Sequence, residues 1–229
     1  MSATRASDRR LSVADAFADR AVRREGDREL PLGPKARHTR GTILEAAARL
    51  FAEQGYQATS VGDVAAAAGV SLGTVYQYFR DRSDLVAALL QVSVTGMVEE
   101  TDAAWHAAEG HDGLYRVLHN FVSSYVDGAE MAGVWEEVCH LDEDMAELRR
   151  TLSRVFTAAV AGELKRARRA GLVRADVEPH LAARALAGMV DRYCYVTYVF
   201  DPPEEGPPSP EASARLLTDL WSSAVGLRD

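Results

Sequence analysis

Apolar residues recur at three- and four-residue spacing along almost the whole chain, and strand-like alternation is nearly absent. From position 39 to 53, Ile43, Ala46, Ala47, Leu50 and Phe51 mark one face of an amphipathic helix, which Gly55 ends as a C-terminal cap. A second, short helix starts near Ser60, with Ser60 and Asp63 spaced as a capping box, and stops at Gly69. A third opens at Ser71 and runs to about Phe79. A fourth starts at Ser83-Asp84-Leu85 and is expected to reach roughly Ala108. Beyond Gly110, Leu114, Val117, Leu118, Phe121, Val122 and Tyr125 form the next apolar face, which ends around Gly128. Met131-Ala132-Gly133-Val134-Trp135 reads as a short helix bounded by loops. Met145, Leu148, Leu152, Val155, Phe156 and Ala159 follow, closed by Gly171. Leu181, Ala185, Met189, Tyr193, Val196 and Phe200 precede a break at Asp201-Pro202-Pro203, and the β-branched, aromatic cluster 193–200 continues this helical run. The loop 202–210 leads to a last helix carrying Leu216, Leu217, Leu220, Trp221 and Ala224. The prediction is an all-α chain without internal repeats.

Its 229 residues suffice for a sizeable core, and 47% hydrophobic with 26% charged residues fits an ordinary globular protein. No apolar run reaches the roughly 20 residues of a membrane span. The polar, arginine-rich start has no apolar signal segment behind it. Cys139 and Cys194 are too few and too distant for a disulfide framework or a metal knuckle. Together these features predict a reduced, cytoplasmic protein. The net charge of −8 is unevenly placed. Residues 1–34 hold seven basic and six acidic groups, 35–90 six and five, and 91–229 thirteen and twenty-three. The acidity lies in the C-terminal part, so charge neither excludes a polyanionic partner for the N-terminal part nor argues for one.

The densest pattern runs from Thr59 to Phe79, two short helices joined by the tight turn Gly69-Val70-Ser71. Alanines on the first helix let the second cross it closely, and Gly69 supplies the positive φ that the turn requires. Val61, Val64, Val70, Val75 and Phe79 are spaced for a shared core, which leaves Leu72, Gly73, Thr74, Tyr76 and Gln77 on or near the outer face of the second helix. A helix N-terminus presenting a small residue, a hydroxyl and an amide can enter a DNA major groove. Gly73 has no evident reason to sit inside a helix, where it costs about 1 kcal/mol relative to alanine. Close backbone approach to DNA supplies one.

From Thr39 to Leu85 the chain resembles the TetR family of bacterial regulators. The resemblance rests on Ile43-Leu44-Glu45-Ala46-Ala47 with Leu50-Phe51, then Gly55-Tyr56-Gln57-Ala58-Thr59-Ser60 and Val64-Ala65. It continues through Ala68-Gly69-Val70-Ser71, Gly73-Thr74-Val75-Tyr76, Tyr78-Phe79 and Arg82-Ser83-Asp84-Leu85. It implies an N-terminal three-helix helix-turn-helix DNA-binding domain plus a C-terminal helical ligand-binding and dimerisation domain. The expected division is an extension over 1–34, the DNA-binding domain over 35–84 and the effector and dimer domain over 85–229. It further implies that Ser71 caps the recognition helix, that Leu72, Gly73, Thr74 and Gln77 approach bases, and that Thr59, Tyr76, Tyr78 and Arg82 hold phosphates. Arg82 stands where the family usually has lysine, and Tyr78 where it often has histidine. Thr59 and Ser71 also read as plain N-caps, and Tyr78 as a packed surface aromatic.

In the same family the last two long helices, here about 179–200 and 211–227, pair across a two-fold axis. That would hold two recognition helices about 34–36 Å apart on double-stranded operator DNA. Effector binding would release the DNA by a population shift that moves the fourth helix and with it the spacing of the two recognition helices. Candidate effector-pocket residues are Trp105, Tyr115, Phe121, Tyr125, Trp135, Cys139, His140, Met189 and Tyr193, each of which also reads as ordinary core. Trp135, on its short helix, is placed as a gate. An aromatic lining suggests a hydrophobic effector. His106, His111 and His119 do not share one helical face by spacing, Val138-Cys139-His140 has no second ligand pair, and no metal or cofactor is expected.

No phosphate-cradling glycine loop, nucleophile elbow or carboxylate–histidine constellation marks an enzyme. The acids Glu136, Glu137, Asp142, Glu143 and Asp144 read as a solvated face and helix-start charges. The sequence therefore predicts a homodimeric regulator, a repressor by resemblance, released by a small molecule. The alternative is a helix-turn-helix regulator controlled by a protein partner or without a small ligand. Within 1–33, Leu11, Ala14, Phe17, Ala18, Ala21 and Val22 fit one amphipathic helix that ends near Pro31-Leu32-Gly33-Pro34. The segment reads either as a tail with too little apolar surface to order itself or as an extra helix on the body or the DNA.

Overall fold

The computed structural model describes Phe17, residues 33–100 and residues 106–228, with the backbone alone for 93–100. Among these residues it is all-α, with nine α-helices and no strand. In chain order they are α1 (Pro34–Gln54), α2 (Val61–Ala67), α3 (Leu72–Tyr78), α4 (Arg82–Glu100), α5 (Gly110–Asp127), α6 (Ala129–Leu141), α7 (Glu143–Ala170), α8 (Pro179–Tyr195) and α9 (Pro210–Val225). A 3-10 turn, Ala107–Glu109, precedes α5, and a π-helical turn, Val196–Phe200, follows α8.

Local chemistry fixes most of the boundaries. Pro34, Pro179 and Pro210 stand in the first turns of α1, α8 and α9, where the missing N–H costs nothing. Gly69, Gly171 and Gly226 adopt positive φ and close Schellman motifs. In the first, Val70 N–H donates to Ala65 O at 3.0 Å and Gly69 N–H to Ala66 O at 3.2 Å. The 28-residue α7 carries Glu143 and Asp144 in its first turn and Arg168 and Arg169 in its last, as the helix dipole favours.

Two expected boundaries are corrected. The fourth helix does not run through Ala108, because His106 is extended and Ala107 belongs to the separate 3-10 turn. The 131–135 segment is not a short helix between loops. It lies inside the 13-residue α6, bounded by the Gly128 turn and by Asp142, whose carboxylate accepts Met145 N–H at 3.1 Å to cap α7. Gly133 stays helical within α6, and the close approach of Val199, whose Cγ1 would lie 3.3 Å from a Cβ there, favours a residue without a side chain.

Two apolar cores form. The first joins Ile43, Phe51, Val64, Val75, Phe79 and Leu85 to Val134 and Val138 of α6 and Met145 and Leu148 of α7, so packing crosses position 84 without a break. Phe17, helical and 7% exposed, belongs to it. The other candidates of the N-terminal extension lie outside the described residues. The second core joins Leu114 and Leu118 of α5, Leu164 of α7, Leu186 and Val190 of α8, and Leu217 and Trp221 of α9. Here α5 packs along α9, and α7 along α8.

Candidate nucleic-acid interface

The site is built on α2, the Gly69 turn and α3. Ser60 Oγ accepts Asp63 N–H at 3.1 Å, while Asp63 Oδ2 accepts the Ser60 N–H at 2.9 Å and its hydroxyl at 2.6 Å. These bonds, the hydroxyl first, hold the Asp63 carboxyl below its ordinary range. Ser71 repeats the device on α3: its Oγ accepts Thr74 N–H at 3.1 Å and lies 2.8 Å from the Thr74 hydroxyl. With both N-termini capped and the connecting turn closed, the angle between the two helices is fixed by backbone bonds as well as by packing.

Val75 and Phe79 point inward, 0% and 3% exposed. Their neighbours must then point outward. Ser71, Leu72, Gly73, Tyr76 and Gln77 are exposed, with Leu72 at 46% and Tyr76 at 53%, while Thr74 and Tyr78 are half-buried. A Cβ at Gly73 would meet only Ser71 Oγ, at 3.8 Å, so the fold itself does not require glycine there. One short helix thus presents an amide, two hydroxyls, a phenol and a bare stretch of backbone on a single face.

Two expected phosphate ligands are put to other use. Thr59 is fully buried, and its hydroxyl donates to Gly55 O at 2.9 Å and Leu50 O at 3.3 Å, so it ties the loop to α1 and reaches no surface. The cap of α2 is Ser60, one position on. Arg82 turns back over the loop: its Nη1 donates to the carbonyls of Tyr56, Gln57 and Thr59 at 2.7, 2.9 and 3.0 Å, and its guanidinium lies 4.0 Å over the Tyr56 ring. Tyr78 packs partly against the first core, its ring 6.5 Å from that of Phe79.

Sequence reasoning missed the start of α1. Lys35, Arg37 and Arg40 fall in its first two turns with no acidic residue in the first turn, against the helix dipole that α7 obeys. Arg40 lies 5.3 Å over the Phe79 ring, which places basic charge beside the C-terminal end of α3. That unfavourable placement is the signal that could have found these residues.

The expected effector residues are not brought together. Tyr115, Phe121, Tyr125, Met189 and Tyr193 pack on the second core, whereas Trp135 and Cys139 pack on the first. Trp105 lies outside the described residues. Tyr193 and Tyr198 both hydrogen-bond Ser213, at 2.9 and 2.6 Å, which fastens α8 to α9. Burial pushes the Cys139 thiol up to about 11 and the Cys194 thiol to about 12, so both remain neutral near pH 7. An open cleft of about 360 Å³ lies elsewhere, between the 55–59 loop and α6, lined by Gln57, Gly133, Glu136, Glu137, His140, Leu141 and Tyr195. Of the expected residues only His140 reaches it, its Nδ1 2.7 Å from Glu136 O. His111 and His119, which spacing alone does not place on one face, both meet α9, 3.0 Å from Asp219 and 3.6 Å from Glu211. Among the described residues no group of three or more potential ligands could hold a metal, and no helix is long and apolar enough to cross a membrane.

A three-helix helix-turn-helix unit joined to an all-helical body is the class that this architecture defines. Residues 43–89 match the family model described as bacterial regulatory proteins, tetR family. The HTH-type transcriptional regulator AcrR of Shigella flexneri is 28% identical over 179 residues, covering 73% of this chain and 83% of that protein. The HTH-type transcriptional regulator TtgR of Pseudomonas putida is 29% identical over 173 residues, 69% of this chain and 79% of that protein. Among solved structures, NalD, the secondary repressor of the MexAB-OprM multidrug efflux pump in Pseudomonas aeruginosa, superposes with a TM-score of 0.68 at 22% identity. That superposition covers 85% of this chain and 99% of NalD. Residues 43–89 thus carry the tetR-family pattern, and over about 70% of its length the chain is similar to HTH-type transcriptional regulators.

Proposed function

We propose that this protein is a transcriptional regulator, a repressor, that binds a palindromic operator as a homodimer through α3 and is released by a small, hydrophobic effector. The observation that carries the DNA reading is the outward face of α3, where Leu72, Gly73, Tyr76 and Gln77 stand clear of a core that holds Val75 and Phe79. Leu72, Gly73, Thr74 and Gln77 approach base edges, and Tyr76 and Tyr78 approach phosphates. Arg40, beside the end of α3, and the other basic residues at the start of α1, Lys35 and Arg37, take phosphates in the role first given to Thr59 and Arg82. Residues 35–84 form the reading domain and 85–229 the effector and dimer domain, in a protein that acts on DNA without catalysis. The names of AcrR and TtgR, both transcriptional regulators, support this reading.

The homodimer reading rests on exposed apolar side chains at the C-terminal end. Leu181 at 69%, Phe200 at 66%, and Leu216 and Leu220 at 47% each lie on α8, its π turn and α9. Pairing two such surfaces would bury them and set the spacing of the two α3 helices. The cleft beside α6 is open and not an enclosed pocket, which favours a second reading, in which the regulator answers to a protein partner or works without a small ligand.

Selection of bound sequences from random DNA duplexes tests the proposal. The expected product is an inverted repeat with half-sites about one helical turn apart or slightly more. Recovery of no enriched sequence, or of a single unrepeated site, would overturn the palindromic dimer reading.

A further inference from the structure

The loop 55–59, which delivers the chain into α2, is gripped from two sides. From α4, Arg82 takes three of its carbonyls and covers the Tyr56 ring. From the body, Glu137 of α6 accepts the Tyr56 backbone N–H on its Oε2 at 3.0 Å, across 81 positions of sequence. Glu136, about 100° round the helix from Glu137, lines the same cleft but has other partners. It pairs with Arg149 of α7, whose Nη2 lies 3.8 Å from Asp191 of α8. Two adjacent carboxylates on one helix thus hold, respectively, the loop ahead of the helix-turn-helix and the packing of α7 on α8. Gly133, one turn earlier, sits against Val199 of the π turn that ends α8.

The bond to Tyr56 has an alternative state. The cleft of about 360 Å³ lies directly beside it, so Glu137 can exchange the loop N–H for water without unfolding α6. A contact that is part-buried and edged by an open cleft is suited to being made and broken.

We propose that Glu137 is a positioning residue for DNA recognition: with Arg82 it fixes the 55–59 loop and hence α2 and α3, and Glu136, Arg149 and Asp191 make that grip answer to the packing of α7 and α8. The DNA part of this inference rests on the function proposed above; the contact and its relay do not.

Amide hydrogen exchange of the full-length protein, read on the 55–59 segment, provides the test. Glu137→Ala is expected to speed exchange at Tyr56 roughly tenfold, as loss of a charge-assisted hydrogen bond would. Glu137→Gln keeps a carbonyl acceptor and is expected to stay near wild type. Arg149→Met, which touches nothing in the loop, is expected to speed the same amide. Asp191→Asn, at a more exposed side chain, supplies a second, milder input should Arg149→Met fail to fold. On a selected operator duplex, Glu137→Ala is expected to weaken binding roughly three- to tenfold and Glu137→Gln to restore it. Unchanged exchange at Tyr56 in Glu137→Ala overturns the grip. Exchange that ignores both Arg149→Met and Asp191→Asn overturns the relay. Normal operator affinity in Glu137→Ala, with Tyr56 exchange accelerated, overturns the positioning role alone. A wild type that binds no duplex, with the exchange results intact, sinks the DNA reading and leaves the contact standing.

Discussion

Gly73 separates the demands of folding from those of recognition. In an exposed helix interior, glycine is less stable than alanine by about 0.5–1 kcal/mol, chiefly through backbone entropy. Nothing in the protein resists the change, since the new methyl would meet only Ser71 Oγ, at an ordinary 3.8 Å. Gly73→Ala should therefore stabilise the free protein, and for a chain of this size about 0.5–1 kcal/mol raises Tm by about 1–4 °C. If α3 lies against DNA with its backbone at van der Waals distance, the same methyl overfills a packed interface, at a cost of about 1–3 kcal/mol. That weakens the operator Kd by roughly fivefold to more than a hundredfold. The assay pairs a thermal melt with fluorescence anisotropy on a labelled duplex, using the same preparation for both. Opposite signs are the signature. A rise in Tm with an unchanged Kd would refute the close approach, and a fall in Tm would mean that the glycine serves the fold after all.

Other substitutions read other parts of the site. Arg82→Met should lower stability by about 1–3 kcal/mol, the range for losing hydrogen bonds of a charged group, as measured by urea unfolding. It should leave the salt slope of DNA binding unchanged; a phosphate ligand would instead lose about one unit of slope at constant stability. Replacing Leu216 and Leu220 together by glutamate should yield a monomer of normal helix content by analytical ultracentrifugation, and a persistent dimer would place the two-fold contact elsewhere. The pH response centres on Glu147, which hydrogen bonds from Arg154 and Arg150 hold at about 2, below the ordinary 4.5. A depressed folded value stabilises above the unfolded value and is lost as pH falls from about 4.5 toward 2. Glu147→Gln should therefore show a smaller fall in Tm over that window than wild type, and an equal fall would discount these hydrogen bonds as a source of stability.

What the sequence made legible was local. Ser60, Asp63, Gly69 and Ser71 act on residues one to five positions away, so their caps and turn can be read from spacing, and with them the exposure of Leu72, Gly73, Tyr76 and Gln77. The carbonyl partners of Thr59 and Arg82 were not legible, because a side chain that can bind phosphate can equally bind a carbonyl, and those partners lie 4 and 9 positions from Thr59 and 23 to 26 from Arg82. The packing of the effector candidates was illegible for a related reason. A helix's apolar face announces burial but not which of two cores receives it, so Tyr125 and Trp135, ten positions apart, went to different ones. The reason for a glycine at 133 was not legible, because the Val199 side chain that packs against it is 66 positions away. Glu137, read as part of a solvated acidic run, carries the contact from the body to the helix-turn-helix loop.

The central claim is that α3 reads DNA through its exposed face. The most direct test is the binding of a selected operator duplex at two salt concentrations, comparing wild type with the double variant Tyr76→Ala, Gln77→Ala. Both side chains are exposed, so the variant should fold normally. Tight, salt-sensitive binding by wild type and its loss in the double variant at unchanged Tm is the predicted result. Equal affinity of the two proteins, or no binding by wild type at either salt concentration, would contradict it.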